Sequence, residues 1–443
     1  MADFRPEIPL HRTGARAMMT DTLRKGGVRR NLAIAAFTLG ILVFPLVFLD
    51  EKAARVIFYW CGYVSAAGVI YEAAVRRQRL LRNPLPLTFF ALGIVFTGWS
   101  VLSDISGAAG GALLLTAGKR MLLAFFILCY LTHVWRENIL SRRLLSRLAL
   151  ASVATGVTAA TLYGIVQGAM THDRILLGIN RATLTAYAYS VTTLALMTTL
   201  LQLRNVKLRS VLFVVLAALS LYVVGLTETR AAMAIHTLLI AVLATRFFWL
   251  TRSKAAVALA GLAIAGALVA NYSVIEARAS VTLSEIRSYQ NNDDHTSLGS
   301  RFTMWKTGLL AFEHHPFGQT QPARNAWIVS WLDAHGNPDS FAITYLDVHL
   351  HNEFIQYASI FGITGVVVLA CFYWISVVGS ATAWGFFNPI TVAALACLLY
   401  GMTDVLLTSV ELIVVLCMLF TMMALVSGAP LQQSGNDACR AEV

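Results

Sequence analysis

The 443-residue chain is 57% hydrophobic and only 13% charged, with a mean hydropathy of +0.67. No water-soluble fold of this length could hide so much apolar side chain, because even a large domain keeps a wet surface. The apolar segments must face lipid, so the chain reads as an all-α polytopic membrane protein, and its net charge of +11 becomes a topology signal rather than a mark of nucleic-acid binding.

Residues 1–30 are basic and polar with no signal-peptide core, and read as a flexible cytoplasmic N-terminal segment. Apolar runs long enough to cross hydrocarbon follow at 31–49, 54–75, 84–103, 111–133, 146–168, 183–203, 209–225, 231–249 and 254–271. Three more fall at 352–376, 387–405 and 407–427, about twelve in all. Residues 31–271 thus hold spans one to nine, 272–350 form one large polar loop, 351–427 hold spans ten to twelve, and 428–443 form a cytoplasmic tail. With both termini inside, 22 of the 34 Lys and Arg residues face the cytoplasm, including Arg204, Lys207, Arg209, Arg246, Arg252 and Lys254. The large loop then lies outside. Of the six cysteines, five sit in apolar segments and Cys439 in the tail, so no disulfide or zinc spacing is visible.

Within the loop, Phe302, Trp305, Leu309 and Phe312 recur at helical spacing, which predicts an amphipathic helix lying on the membrane or packed as a lid. Asp293-Asp294 are flanked by turn-forming residues and read as an exposed loop tip rather than a metal box.

Ionisable groups at membrane depth are costly and each needs a reason. Lys119-Arg120 stand inside the fourth run, where they could bind an anionic headgroup; alternatively 106–118 is re-entrant and the span starts at Met121. Arg181 precedes the sixth run, and Arg230 ends a tight turn between the seventh and eighth, where a guanidinium can fork onto phosphate oxygens or pair with Glu228. His351-Asn352 stand where the large loop enters the tenth span: Asn352 can cap that helix, Gly362 and Gly365 leave a groove for helix packing, and the imidazole can take a proton from a hydroxyl near neutral pH.

This pattern resembles the O-antigen ligase and polymerase superfamily. The likeness rests on His351-Asn352 followed after nine residues by Gly362-x-x-Gly365, on Thr229-Arg230, and on Ser300-Arg301 with Trp305 and Pro316-Phe317-Gly318. Ligases are the nearest branch. The resemblance implies a GT-C-like glycosyltransferase of the bacterial inner membrane with its site facing the periplasm. It would move O-polysaccharide from undecaprenyl diphosphate to a hydroxyl of lipid A–core, inverting the anomeric carbon, with no cofactor or metal. His351 would be the base, Arg230 and Arg301 would stabilise the diphosphate, and Arg181, Lys119, Arg120, Asn352 and His349 would bind substrate. The partners are then two glycolipids and the bilayer, with no nucleic acid. A polymerase of the same superfamily, or a flippase or transporter for lipid-linked glycans, is the alternative.

Overall fold

The computed structural model describes residues 12–428 apart from 79, 82, 106–110, 172, 252, 253 and 292. Arg5, Arg79, Arg82, Asn292, Cys439 and Arg440 lie outside the described residues, as does the tail beyond Gly428.

Among the described residues the chain is helical with no strand. In order come α1 (Arg12–Val47), α2 (Glu51–Ile70), α3 (Leu85–Ile105), α4 (Gly111–Arg136), α5 (Arg142–Met170), α6 (Ala182–Leu200), α7 (Val206–Leu226), α8 (Arg230–Thr251) and α9 (Lys254–Ala270). Then follow α10 (Tyr272–Gln290), α11 (Ser297–His314), α12 (Gln321–Ala334), α13 (Glu353–Tyr373), α14 (Ser380–Trp384), α15 (Pro389–Gly401) and α16 (Val410–Ser427). Nine of the described helices are long and apolar enough to cross a membrane. The other three expected runs are also helical, but α9 has 17 residues, α15 has 13, and α6 is rich in Thr and Ser.

α6 is buried on all sides, so its hydroxyls must be satisfied within the bundle. Thr192, Thr193 and Thr198 donate to the carbonyls of Ala188, Tyr189 and Leu194 at 2.7 to 2.8 Å, the back-bonding that lets a polar helix occupy an apolar centre. α16 packs beside it, also buried nearly all round.

Side-chain caps set the helix starts: Asp50 for α2, Asn205 for α7, Thr296 for α11, Thr320 for α12, Asn352 for α13 and Asn388 for α15. Of the N-terminal segment, residues 12–30 are helical: α1 begins at Arg12 and runs unbroken into the first span. A span already nucleated extends cheaply through Ala, Met, Leu, Lys and Arg. α4 likewise starts at Gly111, so Lys119 and Arg120 lie within it and a start at Met121 is not what forms.

Residues 272–350 fold into α10, α11, α12 and a 3-10 turn (Phe341–Tyr345) with a small core of their own, made by Met304, Ala311, Ile328, Leu332, Leu346 and Leu350 together with Ile355 of α13. The expected apolar stripe of α11 is not its packing face. Leu309 is exposed, whereas Ser300, Thr303, Met304, Thr307, Gly308 and Ala311 are buried. Small residues let the backbone approach closely: a Cβ on Gly308 would stand 2.6 Å from both Ile355 and Leu350. α11 is thus part of a packed cap.

The cap is joined to the bundle by the two glycine motifs. Gly362 interrupts α13 at φ 61°, ψ −150°, a conformation open essentially to glycine alone. The break receives the Pro316-Phe317-Gly318 turn: Ile363 N–H donates to Pro316 O and Gln319 N–H to Ile360 O, both at 2.8 Å. A Cβ on Gly362 would lie 2.4 Å from Pro316 O and Gly318 N. The role expected of Gly362 is therefore corrected, from a helix-packing groove to a socket for the cap.

Candidate functional site

His351 sits where the cap core and the bundle meet, between Leu350 and the capping residue Asn352. Its φ of 50° is unusual for a residue with a Cβ, and such backbone persists only where neighbours over-determine it. Here they do. Trp305 Nε1 of α11 donates to the carbonyls of Leu350 (3.0 Å) and His351 (3.3 Å). Gln356 Oε1 accepts from Leu350 N–H at 3.0 Å and from the buried Arg324 at 2.9 Å. Burial pushes Arg324 down to about 9, opposed by Asp347, which leaves it protonated at neutral pH. Asn352 Oδ1 accepts from the Phe354 and Ile355 amides, and its Nδ2 donates to Met402 O at 2.9 Å, tying the start of α13 to the turn after α15.

That turn carries Asp404, a buried carboxylate whose Oδ1 lies 3.4 Å from His351 Nδ1 and 3.6 Å from His349 Nε2. Glu353 fixes the turn by accepting from the amides of Leu406 (3.2 Å) and Leu407 (2.6 Å) and from the Tyr373 hydroxyl (2.8 Å). Burial raises the Asp404 carboxyl, but the two imidazoles and the Val405 amide outweigh it and hold the group below the usual carboxylate range. Burial drives His349 down to about 4; Asp404 opposes this, while His351, Arg301 and Arg181 reinforce it. His349 is therefore neutral at pH 7.

Hydrogen bonding assigns the tautomers. His349 Nδ1 accepts from His351 N–H at 3.3 Å, so its own proton is on Nε2, facing Asp404. A carboxylate beside His351 Nδ1 favours the proton there too, leaving Nε2 as the basic atom. The Nδ1 contact is at ion-pair distance without hydrogen-bond alignment, and Nδ1 is buried, a geometry that can tighten on substrate binding. The donor atoms of His349, His351 and Asp404 all lie within 4.8 Å of one another, the one group among the described residues that could hold a metal ion. A ligating His349 Nε2 would need the opposite tautomer, so the trio fits hydrogen bonding better than ligation.

The arginines divide into paired and unpaired. Arg301 and Arg181 make no ion pair among the described residues, and both act electrostatically on His349. Arg230 is committed instead to Glu285, at 2.6 and 3.1 Å, and to Thr282 at 3.1 Å. It lines a cavity of about 620 Å³ between α7, α8, α9 and α10, otherwise mostly apolar, to which α10 also contributes Arg278. Its turn is braced by Arg174, which donates to Thr227 O and Thr229 Oγ1, and by an Arg278–Glu228 pair. Arg120 is buried, contacting Val410 O, Tyr59 Oη at 3.3 Å and Glu51 at 3.9 Å, so it braces α4 against α2 and α16; Lys119 is exposed.

Asp294, expected at an exposed loop tip, is buried. It accepts from Thr303 Oγ1 at 2.9 Å, from Ser340 Oγ and from the Phe341 amide at 3.3 Å. Burial raises its carboxyl, and these donors more than compensate, bringing it below its ordinary value. It is a staple of the cap fold.

Fold and site together define a polytopic all-α membrane protein in which a histidine–carboxylate group stands where a helical cap meets one end of the bundle, near guanidinium groups with no ion pair among the described residues. The family model for Wzy_C, described as O-antigen ligase, matches residues 212–370, from α7 through most of α13. Over 340 residues the chain is 24% identical to the O-antigen ligase of Escherichia coli (strain K12), covering 76% of this chain and 80% of that protein. Over these residues the chain is similar to the O-antigen ligase family. The matched region takes in Arg230, Arg301, His349, His351 and Asn352 but ends before Asp404.

Proposed function

We propose that the protein is an inner-membrane glycosyltransferase that moves O-polysaccharide from undecaprenyl diphosphate to a sugar hydroxyl of lipid A–core at the periplasmic face. The observation that carries this reading is Asp404 Oδ1 at 3.4 Å from His351 Nδ1, which leaves Nε2 free as a base beside two unpaired arginines. In the reaction, the acceptor oxygen bonds to the anomeric carbon as the bond from that carbon to the diphosphate oxygen breaks. The hydroxyl proton passes to His351 Nε2, and the displacement inverts the centre. Arg301 and Arg181 stabilise the charge gathering on the diphosphate, where fixed cations act without reorganisation. The polyprenyl chain would lie in the apolar cavity beside Arg230 and Arg278, and no metal or nucleotide is required. Both termini are cytoplasmic in this reading, by the distribution of Lys and Arg.

The test is purified protein in liposomes with undecaprenyl-diphosphate-linked O-polysaccharide, lipid A–core and EDTA, with lipopolysaccharide followed on a gel. Transfer by wild type but not by folded His351→Ala is expected. Elongation of the carrier-linked chain in place of transfer would make the protein a polymerase, and carrier movement across the bilayer without a new bond would make it a flippase.

A further inference from the structure

The far ends of α6, α7, α8 and α15 meet around a second crevice, at the opposite end of the same helices from His351 and Asp404. It has a volume of about 300 Å³ and is lined by Arg204, Arg209 and Arg246, with Leu201, Leu250 and Phe387 among its apolar walls. No carboxylate lines it, and none of the three arginines has an ion pair among the described residues. Three cations with a shared opening and no counter-charge repel one another, so an anion is the missing element.

Arg209 makes the crevice a built site. It is 6% exposed and is held by donating to Leu250 O at 2.8 Å and Leu203 O at 3.3 Å, while its Nε is buried with no partner. Arg246 lies over the Phe387 ring at 5.6 Å, which orients its guanidinium. Around this end Phe248, Trp249 and Phe386 are all exposed, the aromatic belt expected at headgroup level.

We infer that this crevice binds the phosphate of an anionic phospholipid headgroup, with Arg204 and Arg246 contacting the oxygens and Arg209 setting the field behind them. Leucine walls suit the first carbons of the acyl chains, and basic pockets between helices at this depth recognise such lipids by charge and forked donors. The leaflet is the cytoplasmic one, because this end carries the Arg204/Lys207/Arg209 and Arg246/Lys254 groups. The site is separate from sugar transfer and stands whether or not the transfer reaction is the one proposed.

The experiment is native mass spectrometry on the full chain, released from nanodiscs of phosphatidylglycerol or of phosphatidylcholine. Arg209 is left intact because it holds two carbonyls, and R204Q/R246Q is compared with K207Q, which removes a neighbouring charge that does not line the crevice. Wild type and K207Q should retain one phosphatidylglycerol per chain and no phosphatidylcholine. R204Q/R246Q should bind phosphatidylglycerol about thirtyfold more weakly, at about 1 kcal/mol for each arginine near an anionic surface. Equal retention by the double variant, or equal loss in K207Q, would overturn the site in favour of diffuse charge. Displacement of the lipid by millimolar inorganic phosphate, with matching thermal stabilisation, would overturn the lipid source and assign the crevice to the free ion. A melting temperature for R204Q/R246Q near that of wild type in phosphatidylcholine shows that the variant is folded.

Discussion

Two groups of histidine, carboxylate and arginine stand at opposite ends of the bundle, and they use the same chemistry differently. At one end Glu72, in a π-helical turn after α2, accepts from Arg29 at 2.6 and 3.2 Å and lies 3.2 Å from His133 Nε2 of α4, with Glu72 and His133 fully buried. At the other, Asp404 meets two imidazoles that are each about one-fifth exposed, His351 has a strained backbone, and Arg301 and Arg181 make no ion pair among the described residues. Charges that are satisfied by one another hold helices together. Charges left without an ion pair are, in the proposed mechanism, the ones that meet the substrate.

Removing one member from each end separates these roles. His351→Ala should lower glycan transfer by about 10²–10⁴-fold while leaving the melting temperature close to wild type, read by gel assay and thermal scan. Glu72→Gln should do the reverse, costing about 3 kcal/mol of stability by stranding Arg29 while the remaining folded fraction transfers at the normal rate. If Glu72→Gln were instead inactive and fully stable, the contrast would fail.

Asp404→Asn sharpens the comparison within the outer group. The fold persists, since Glu353 holds that turn, and the rate should fall roughly a hundredfold as the carboxylate that orients His351 is lost. The smallest effect belongs to His349. Its folded pKa of about 4 lies below the ordinary value of 6.5, so the unfolded chain binds the proton first and stability declines as pH falls from about 6.5 to about 4. His349→Gln should flatten that part of a melting temperature against pH curve. Asp404, with a depressed carboxyl, loses its contribution only at lower pH, below the ordinary carboxylate range, so the two windows separate.

Helix positions, the Asn352 cap and the placing of His351 at a loop-to-helix junction were legible in the sequence because they follow from local rules of length, spacing and capping. The carboxylate facing His351 was not, since it arrives from a turn 53 residues further on. A signal did exist: between Glu353 and Glu411, Asp404 is the only charged residue, and a lone charge in an apolar stretch asks for a partner. The face of α11 was misjudged because large apolar residues draw attention while close approach selects small ones. Arg230 and Arg301 share a residue type, yet that Arg230 pairs with Glu285 and Arg301 makes no ion pair among the described residues is set by folding of the cap, which periodicity does not encode.

The Pro316–Gly318 turn seated in the break at Gly362 acts as a dovetail joint. It fastens the cap to the bundle through backbone hydrogen bonds within α13. Swinging the cap away would break the two backbone hydrogen bonds that join it to α13, the helix that begins just after His351. In the proposed reaction the lipid-linked donor would then arrive along the bilayer, by way of the cavity between α7, α8, α9 and α10, rather than beneath a swinging lid.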